Sequence, residues 1–164
     1  MASEHSMDVA VRFDYQELVN SVDQAKREAF NRFDLKDAGI EIELSDDNIK
    51  ITAPSNIQID SVYDILLKKM IGRSLSPKIL VRQDMHDVGG MRVRQEIKLI
   101  KALDQENAKK ISKIVKDNFP KTKTSIQGDT VRVSSKSIDD LQAVQVKLRG
   151  DESIKVPLDF TNYR

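Results

Sequence analysis

Residues 125–142 read SIQGDTVRVSSKSIDDLQ, a short stretch with the signals of a tight turn, two strands and the start of a helix. Gly128 and Asp129 can adopt the positive φ angles that a two-residue hairpin turn requires. Apolar residues alternate with polar ones on both sides of this turn, at Ile126, Val131 and Val133. Because successive side chains of a strand point to opposite faces, the stretch predicts a β-hairpin with one core face and one polar face. Ser137 then caps a helix.

The same order of elements is found on both sides of the middle of the chain. In the first half, alternating apolar residues from Met7 to Phe13 predict a strand. A helix, a hairpin, a second helix and a fourth strand follow it, with caps at Asp14 and near Asp60 and a strand at residues 79–82. In the second half, a strand at residues 93–99 precedes a helix, the hairpin above, a helix and a last strand, with helix caps at Asp104 and Ser137.

Each half therefore reads βαββαβ, and the predicted fold class is α+β. We expect two tandem ferredoxin-like modules, each an antiparallel sheet with two helices on one face. The predicted boundaries are residues 1–85 and 86–164, with residues 82–90 as the linker because they contain Gly89-Gly90. An exchange of end strands between the modules stays open.

Charge is distributed unevenly along the chain. Residues 1–90 hold 11 Lys and Arg against 16 Asp and Glu, a net charge of −5, whereas residues 91–164 hold 16 against 10, a net charge of +6. A basic surface favours anionic partners, so the second half is the predicted location of the binding site. The alternative is that the two halves neutralise each other.

Four stretches resemble the YajQ family of bacterial nucleotide-binding proteins. They are RFDLKD at 32–37, KLIKALDQENAKKISKIVKD at 98–117, IQGDTVRVSSKSIDDLQAV at 126–144 and PLDFTNYR at 157–164. The resemblance implies tandem domains similar to RNA-recognition modules that bind nucleotides. It also implies, for some members, an effector that senses cyclic di-GMP and regulates transcription.

The open face of the second module is predicted to be a basic platform. In the predicted strands, cations alternate with core residues, and Arg94, Lys98, Lys123 and Arg132 are the expected phosphate-binding residues. Arg32 and Lys36 in the family-like run are further candidates. Phe33, which they flank, is expected to be a core anchor, with base stacking as the alternative.

The predicted function is nucleotide binding without catalysis. We expect the protein to be a regulator or effector that binds a purine nucleotide or cyclic di-GMP. GTP, ATP, GMP and cyclic di-GMP are the candidate ligands, and a transcription regulator is a candidate partner. The alternatives are RNA or tRNA binding with little base specificity, because aromatic residues are scarce, and a protein-interaction adaptor.

Several classes of function are disfavoured by the sequence. The chain has no cysteine and only two histidines without metal-ligand spacing, so we expect no metal site and no cofactor. Neither a phosphate-binding loop nor a dinucleotide-binding fingerprint is present. With no apolar stretch long enough to span a membrane and no leader-like N-terminus, a cytoplasmic protein is predicted.

Overall fold

The structure, a computed structural model, describes residues 4–164. Its strands and helices follow in this order: β1 (His5–Ala10), α1 (Tyr15–Asn31), β2 (Glu41–Leu44), β3 (Asn48–Ala53), α2 (Asn56–Gly72), a 3-10 turn (Pro77–Ile79), β4 (Leu80–Gly89), β5 (Arg92–Leu99), α3 (Gln105–Asn118), β6 (Lys123–Gln127), β7 (Thr130–Ser135), α4 (Ile138–Gly150) and β8 (Asp159–Thr161). The strands form two four-stranded antiparallel sheets, which confirms the α+β fold class with antiparallel sheets.

Unit 1 comprises residues 4–12 and 101–164. Its sheet has the order β6-β7-β1-β8, with Met7 opposite Val133 and Val9 opposite both Val131 and Phe160. These five side chains are buried, since helices α3 and α4 pack against the same face of the sheet. Both helices are capped where the sequence predicts, by Asp104 and Ser137.

Unit 2 comprises Phe13–Ile100, and its sheet has the order β2-β3-β5-β4. One face of this sheet is packed with α1 and α2 around a core that includes Ile49, Ile51 and Ile97, all fully buried. Asp14 caps α1 as predicted. Helix α2 begins earlier than predicted, because the hydroxyl of Ser55 accepts the hydrogen bond from Gln58 N at 3.3 Å.

The modules are not consecutive in sequence, in contrast to the predicted boundary between residues 85 and 86. Strand β1 lies in the sheet of unit 1, between β7 and β8, so unit 2 is inserted between β1 and α3. In unit 2, the position of a first strand is filled by β5, which pairs with both β3 and β4. Relative to the predicted tandem arrangement, β1 and β5 have therefore exchanged sheets, and each sheet is complete only with the exchanged strand.

Residues 82–90 form most of a strand and its turn, and the prediction that they are a linker is wrong. Gly89 and Gly90 have φ angles of +84° and +61° and join β4 to β5 as a hairpin. A glycine pair satisfies the needs of a linker and of a tight turn equally well. Strand β4 also has register shifts between Arg82 and Met85 and between Asp87 and Gly89, which interrupt the alternation that would have indicated a strand.

We predict that a fragment of residues 13–100 folds alone, whereas a fragment of residues 1–85 does not. The first fragment retains all four strands of its sheet, but the second lacks β5, which lies between β3 and β4 and supplies buried Ile97 and Leu99. Urea titration followed by circular dichroism will give a cooperative transition for residues 13–100 only. A cooperative transition of the same size in residues 1–85 would contradict this domain division.

Candidate functional site

The four cations predicted to form one platform lie in two different sheets. Arg94 and Lys98 are on β5 of unit 2, whereas Lys123 and Arg132 are on β6 and β7 of unit 1. The strand exchange is the cause, because the predicted tandem arrangement had β5 beside β7, whereas the structure has β1 in that position. In unit 1 the side chains alternate between the two faces as predicted. Arg132 is opposite Ser125 and Lys123 is opposite Ser134, on one face of the sheet.

Arg132 is bound to an acidic residue of the neighbouring strand. Its Nε donates to Oδ1 of Asp8 at 3.0 Å, and Asn162 Nδ2 donates to Oδ2 of the same carboxylate at 2.8 Å. Asp8 is buried, although it lies on the sheet face away from the helices. The carboxylate of Asp8 on β1 therefore links β7, through Arg132, with the C-terminal segment, through Asn162. The ion pair leaves Arg132 less suited to binding phosphate.

The pKa of Asp8 reflects these contacts. The hydrogen bond from Arg132 holds the pKa of this carboxyl below its ordinary value, and the one from Asn162 acts in the same direction. Burial alone would raise the pKa, because it penalises the charged form. Asp8 is therefore ionised at neutral pH and remains so well into the acidic range.

Lys123 lies at the mouth of an open cleft in unit 1. The cleft has a volume of about 580 Å³ and is lined by Glu4, Lys121, Lys123, Ser135, Lys136, Ser137 and Asp140. The ammonium group of Lys123 is 3.8 Å from the carboxylate of Glu4, and both side chains are exposed. Since its lining side chains are three lysines, two serines and two carboxylates, the cleft suits small polar ions more than a nucleobase.

On the open face of the unit 2 sheet, cations and carboxylates alternate. The pairs across the strands place Lys50 opposite both Glu43 and Glu96, and Arg94 opposite Thr52. Nε of Arg94 donates to Thr52 Oγ1 at 2.9 Å. Lys98 is exposed at the end of the same strand. The face is therefore mixed in charge and has no aromatic side chain along β2, β3 or β5.

A more apolar cleft lies in unit 2, between the end of α1 and the edge strand β2. It has a volume of about 520 Å³ and is lined by Lys26, Ala29, Phe30, Leu35, Lys36, Gly39, Ile40, Glu41, Ile42 and Glu43. The walls are one helix, one loop and one strand, and its lysines lie on the helix and the loop. This combination of apolar walls with a few charged groups is typical of small-molecule sites.

Two phenylalanines, one lining this cleft and one in the loop that follows α1, are largely exposed. Phe30, which lines it, is 75% exposed, and Phe33, in the loop after α1, is 89% exposed. The prediction that Phe33 is a core anchor is therefore wrong, since Leu35 takes the buried position in this loop. The ammonium of Lys36 lies 5.9 Å from the centroid of the Phe33 ring, within the range of a cation–π contact.

Two arginines fix the loop that forms one wall of the cleft. Arg32 pairs with Asp34 at 2.8 Å, and Arg92 donates from Nη1 to the carbonyl of Ala38 at 3.3 Å and from Nη2 to that of Gly39. Gly39 has a φ angle of +67°, and a Cβ there would lie 3.2 Å from Nη1 of Arg92. Glycine is therefore favoured at this point of the wall, both for its positive φ angle and for the close approach of the guanidinium.

The role of Phe30 was missed in the sequence, although a signal for its exposure was present. The apolar stripe of α1 runs through Leu18, Val22, Ala25 and Ala29, which the structure buries. Phe30 lies one residue beyond this stripe and about 100° away from it around the helix axis. A large aromatic residue outside the buried stripe is an expected surface residue.

Two kinds of feature are absent from residues 4–164. Among them, no group of three or more histidine, aspartate or glutamate side chains is arranged to hold a metal ion. No helix in the same part of the chain is long and apolar enough to cross a membrane.

Comparison with known proteins assigns the family. The profile of the family described as "Nucleotide-binding protein YajQ-like" matches residues 5–164. The chain belongs to this YajQ-like family. Among similar relatives are proteins named as nucleotide-binding from Trichodesmium erythraeum, 51% identical, Nostoc punctiforme, 49%, and Parasynechococcus marenigrum, 48%, each with both chains fully covered. This match confirms the resemblance to the YajQ family that the four sequence stretches indicate.

We predict that Asp8→Asn destabilises unit 1 at neutral pH and that its effect fades in acid. Removing the charge weakens two hydrogen bonds and leaves Arg132 without its anion, at a cost of about 1–3 kcal/mol in free energy of unfolding. Because the pKa of Asp8 is lower in the folded than in the unfolded chain, its contribution is present above pH ~4 and is lost as pH falls through the folded pKa.

Urea denaturation of both proteins at pH 7 and pH 3 measures this difference. Glu4→Gln is the control, since its exposed pair with Lys123 is expected to contribute at most about 0.5 kcal/mol. Equal stability of Asp8→Asn and wild type at pH 7 would refute the structural role of this ion pair.

Proposed function

We propose that this protein binds a nucleotide in the unit 2 cleft and acts without catalysis. The observation that carries the proposal is the exposure of Phe30 and Phe33, at 75% and 89%, beside a cleft that contains Lys26 and Lys36. The printed names of the relatives, which describe nucleotide-binding proteins, support the same function.

In this proposal the base and the phosphate occupy different parts of the cleft. The base stacks on the ring of Phe30 and contacts the apolar side chains of Ala29, Leu35 and Ile40. The ammonium groups of Lys26 and Lys36 neutralise the phosphate. Glu41 and Glu43 on the opposite wall can accept hydrogen bonds from the ribose or from the amino groups of a base.

The predicted cations now have different roles in the proposal. Lys36 is the proposed phosphate ligand, whereas Arg32 is paired with Asp34 and does not line the cleft. Arg94, Lys98, Lys123 and Arg132 are not among the residues that line this cleft. They define the rival proposal, in which the nucleotide binds on a sheet face or in the unit 1 cleft.

The identity of the ligand and the biological role belong to the proposal as well. GTP, ATP, GMP and cyclic di-GMP are the candidates, because the family resemblance implies nucleotide binding and, for some members, sensing of cyclic di-GMP. A cytoplasmic regulator that passes the signal to a transcription regulator is the proposed role. The exposed cation–aromatic surface also favours RNA or tRNA as a second candidate, because stacking and phosphate contacts require no particular base. The third candidate role is that of a protein-interaction adaptor, in which this exposed surface binds a protein partner.

We predict that Phe30→Ala and Lys36→Ala each weaken nucleotide binding, while Lys113→Ala does not. Loss of one stacking contact of about 1–3 kcal/mol corresponds to a decrease in affinity of roughly 5- to 150-fold. Isothermal titration calorimetry with GTP, ATP, GMP and cyclic di-GMP at low salt is the measurement. Lys113, an exposed lysine of α3 in unit 1, controls for loss of one positive charge.

A double variant, Arg94→Ala with Lys98→Ala, separates the two sites. It is expected to bind with wild-type affinity if the cleft is the site. Loss of binding in this variant, together with full binding in Phe30→Ala, would favour the sheet face instead.

A further inference from the structure

Phe33 offers aromatic surface that a single nucleotide in the cleft does not use. Its ring is 89% exposed, and Phe33 is not among the residues that line the cleft. Phe30, three residues earlier, lines the cleft and is 75% exposed. Unit 2 therefore presents two separate aromatic surfaces close together in the chain, one inside the cleft and one outside it.

Lys36 belongs to both surfaces. It lines the cleft, and its ammonium group lies 5.9 Å from the centroid of the Phe33 ring. When two neighbouring bases of a single strand stack on two aromatic surfaces, the phosphodiester that joins them lies between the surfaces. The position of Lys36 is that of a counter-ion for such a linking phosphate.

The charges outside the cleft also favour a longer ligand. Arg27 and Arg32 are exposed in the same segment as the two rings, and Arg32 is paired with Asp34. Of the nearby carboxylates, Glu28 is bound by Lys69 at 3.1 Å. The segment from Lys26 to Lys36 holds four cations against two carboxylates, so this side of the cleft attracts a polyanion. Asp37 follows the segment, and Glu41 and Glu43 make the opposite wall acidic, so the attraction is confined to the side of α1 and its loop.

We infer that the ligand of this site is a linear, single-stranded oligonucleotide, with one base in the cleft on Phe30 and the adjacent base on Phe33. The inference rests on the proposed nucleotide site and extends it from one nucleotide to at least two. Phe33 is the binding residue for the second base, and Lys36 contacts the phosphate between the two bases. Neither ring selects a particular base, because every base offers a stacking surface.

The test compares 5′-phosphorylated ligands of two lengths. AMP and the linear dinucleotide pApA share the terminal phosphate and the first base, and isothermal titration calorimetry measures both with wild type, Phe30→Ala, Phe33→Ala and Phe33→Trp. Ile71→Ala is the control, because Ile71 is a 60% exposed apolar residue of α2 that does not line the cleft. Phe33 is so exposed that its replacement leaves the core intact.

Phe33→Ala is expected to lower the affinity for pApA by roughly 5- to 150-fold and to leave that for AMP within about twofold. Phe33→Trp is expected to retain the binding of pApA, and Phe30→Ala to weaken both ligands. An equal effect of Phe33→Ala on the two ligands, or none on either, would overturn the second base position.

These outcomes separate the inference from the proposed function. If AMP binding depends on Phe30 while pApA gains nothing over AMP, the nucleotide site stands and the oligonucleotide inference fails. Absence of any binding that depends on Phe30 would remove both. A labelled adenylate decamer measured by fluorescence anisotropy should follow the pApA pattern, and its affinity should fall more steeply with salt than that of AMP.

Discussion

The antiparallel pairing of β1 with β7 and β8 is the constraint on which the rest of the structure depends. Met7 and Val9 on β1 are fully buried and lie opposite Val131, Val133 and Phe160. Without β1, the three-residue strand β8 would have no partner in its sheet. Because β1 is at one end of the chain and its partners are at the other, the chain must leave unit 1 after Arg12 and return at Lys101.

The same pairing sets the charges of each unit. Unit 1, residues 4–12 and 101–164, holds 14 basic and 11 acidic residues, and unit 2 holds 13 and 15. The cationic strand β5 belongs to the more acidic unit, whereas β1 brings Asp8 to the more basic one. The asymmetry between the two halves of the sequence is thus reduced within each folded unit. A platform of one sign does not form, and binding must rely on local combinations of charge with apolar surface.

Local features of the fold were predictable from the sequence, and the partners of the end strands were not. Such features are the turns of the β2–β3 and β6–β7 hairpins, the helix caps at Asp14, Asp104 and Ser137, and the alternation in β7, which depend on residues close together in the chain. The β4–β5 turn was not recognised, because a glycine pair also suits a linker. The choice between β1 and β5 as the neighbour of β7 depends on contacts over more than a hundred residues. Both strands have alternating apolar residues, so periodicity alone cannot distinguish them.

The same limit applies to the candidate site. Lys36 was found because the family-like run drew attention to it, and the cations of β5, β6 and β7 were found by their parity along the strands. The prediction that these cations form one site was wrong, because it depended on a strand order that the structure does not have. Phe33 was misjudged because a phenylalanine beside apolar Leu35 is usually buried, and only the folded loop shows that Leu35 takes that place.

The exposure of Phe30 and Phe33 is difficult to explain by stability alone. Burial of a phenylalanine side chain contributes roughly 1.5–3 kcal/mol, yet α1 buries Ala29 and leaves the larger Phe30 in solvent. Ala25 and Ala29 belong to the buried stripe of α1, and Phe30 lies about 100° away from that stripe around the helix axis. The aromatic surface beside the cleft is therefore available to a ligand, and it lies where lysine side chains can neutralise a phosphate.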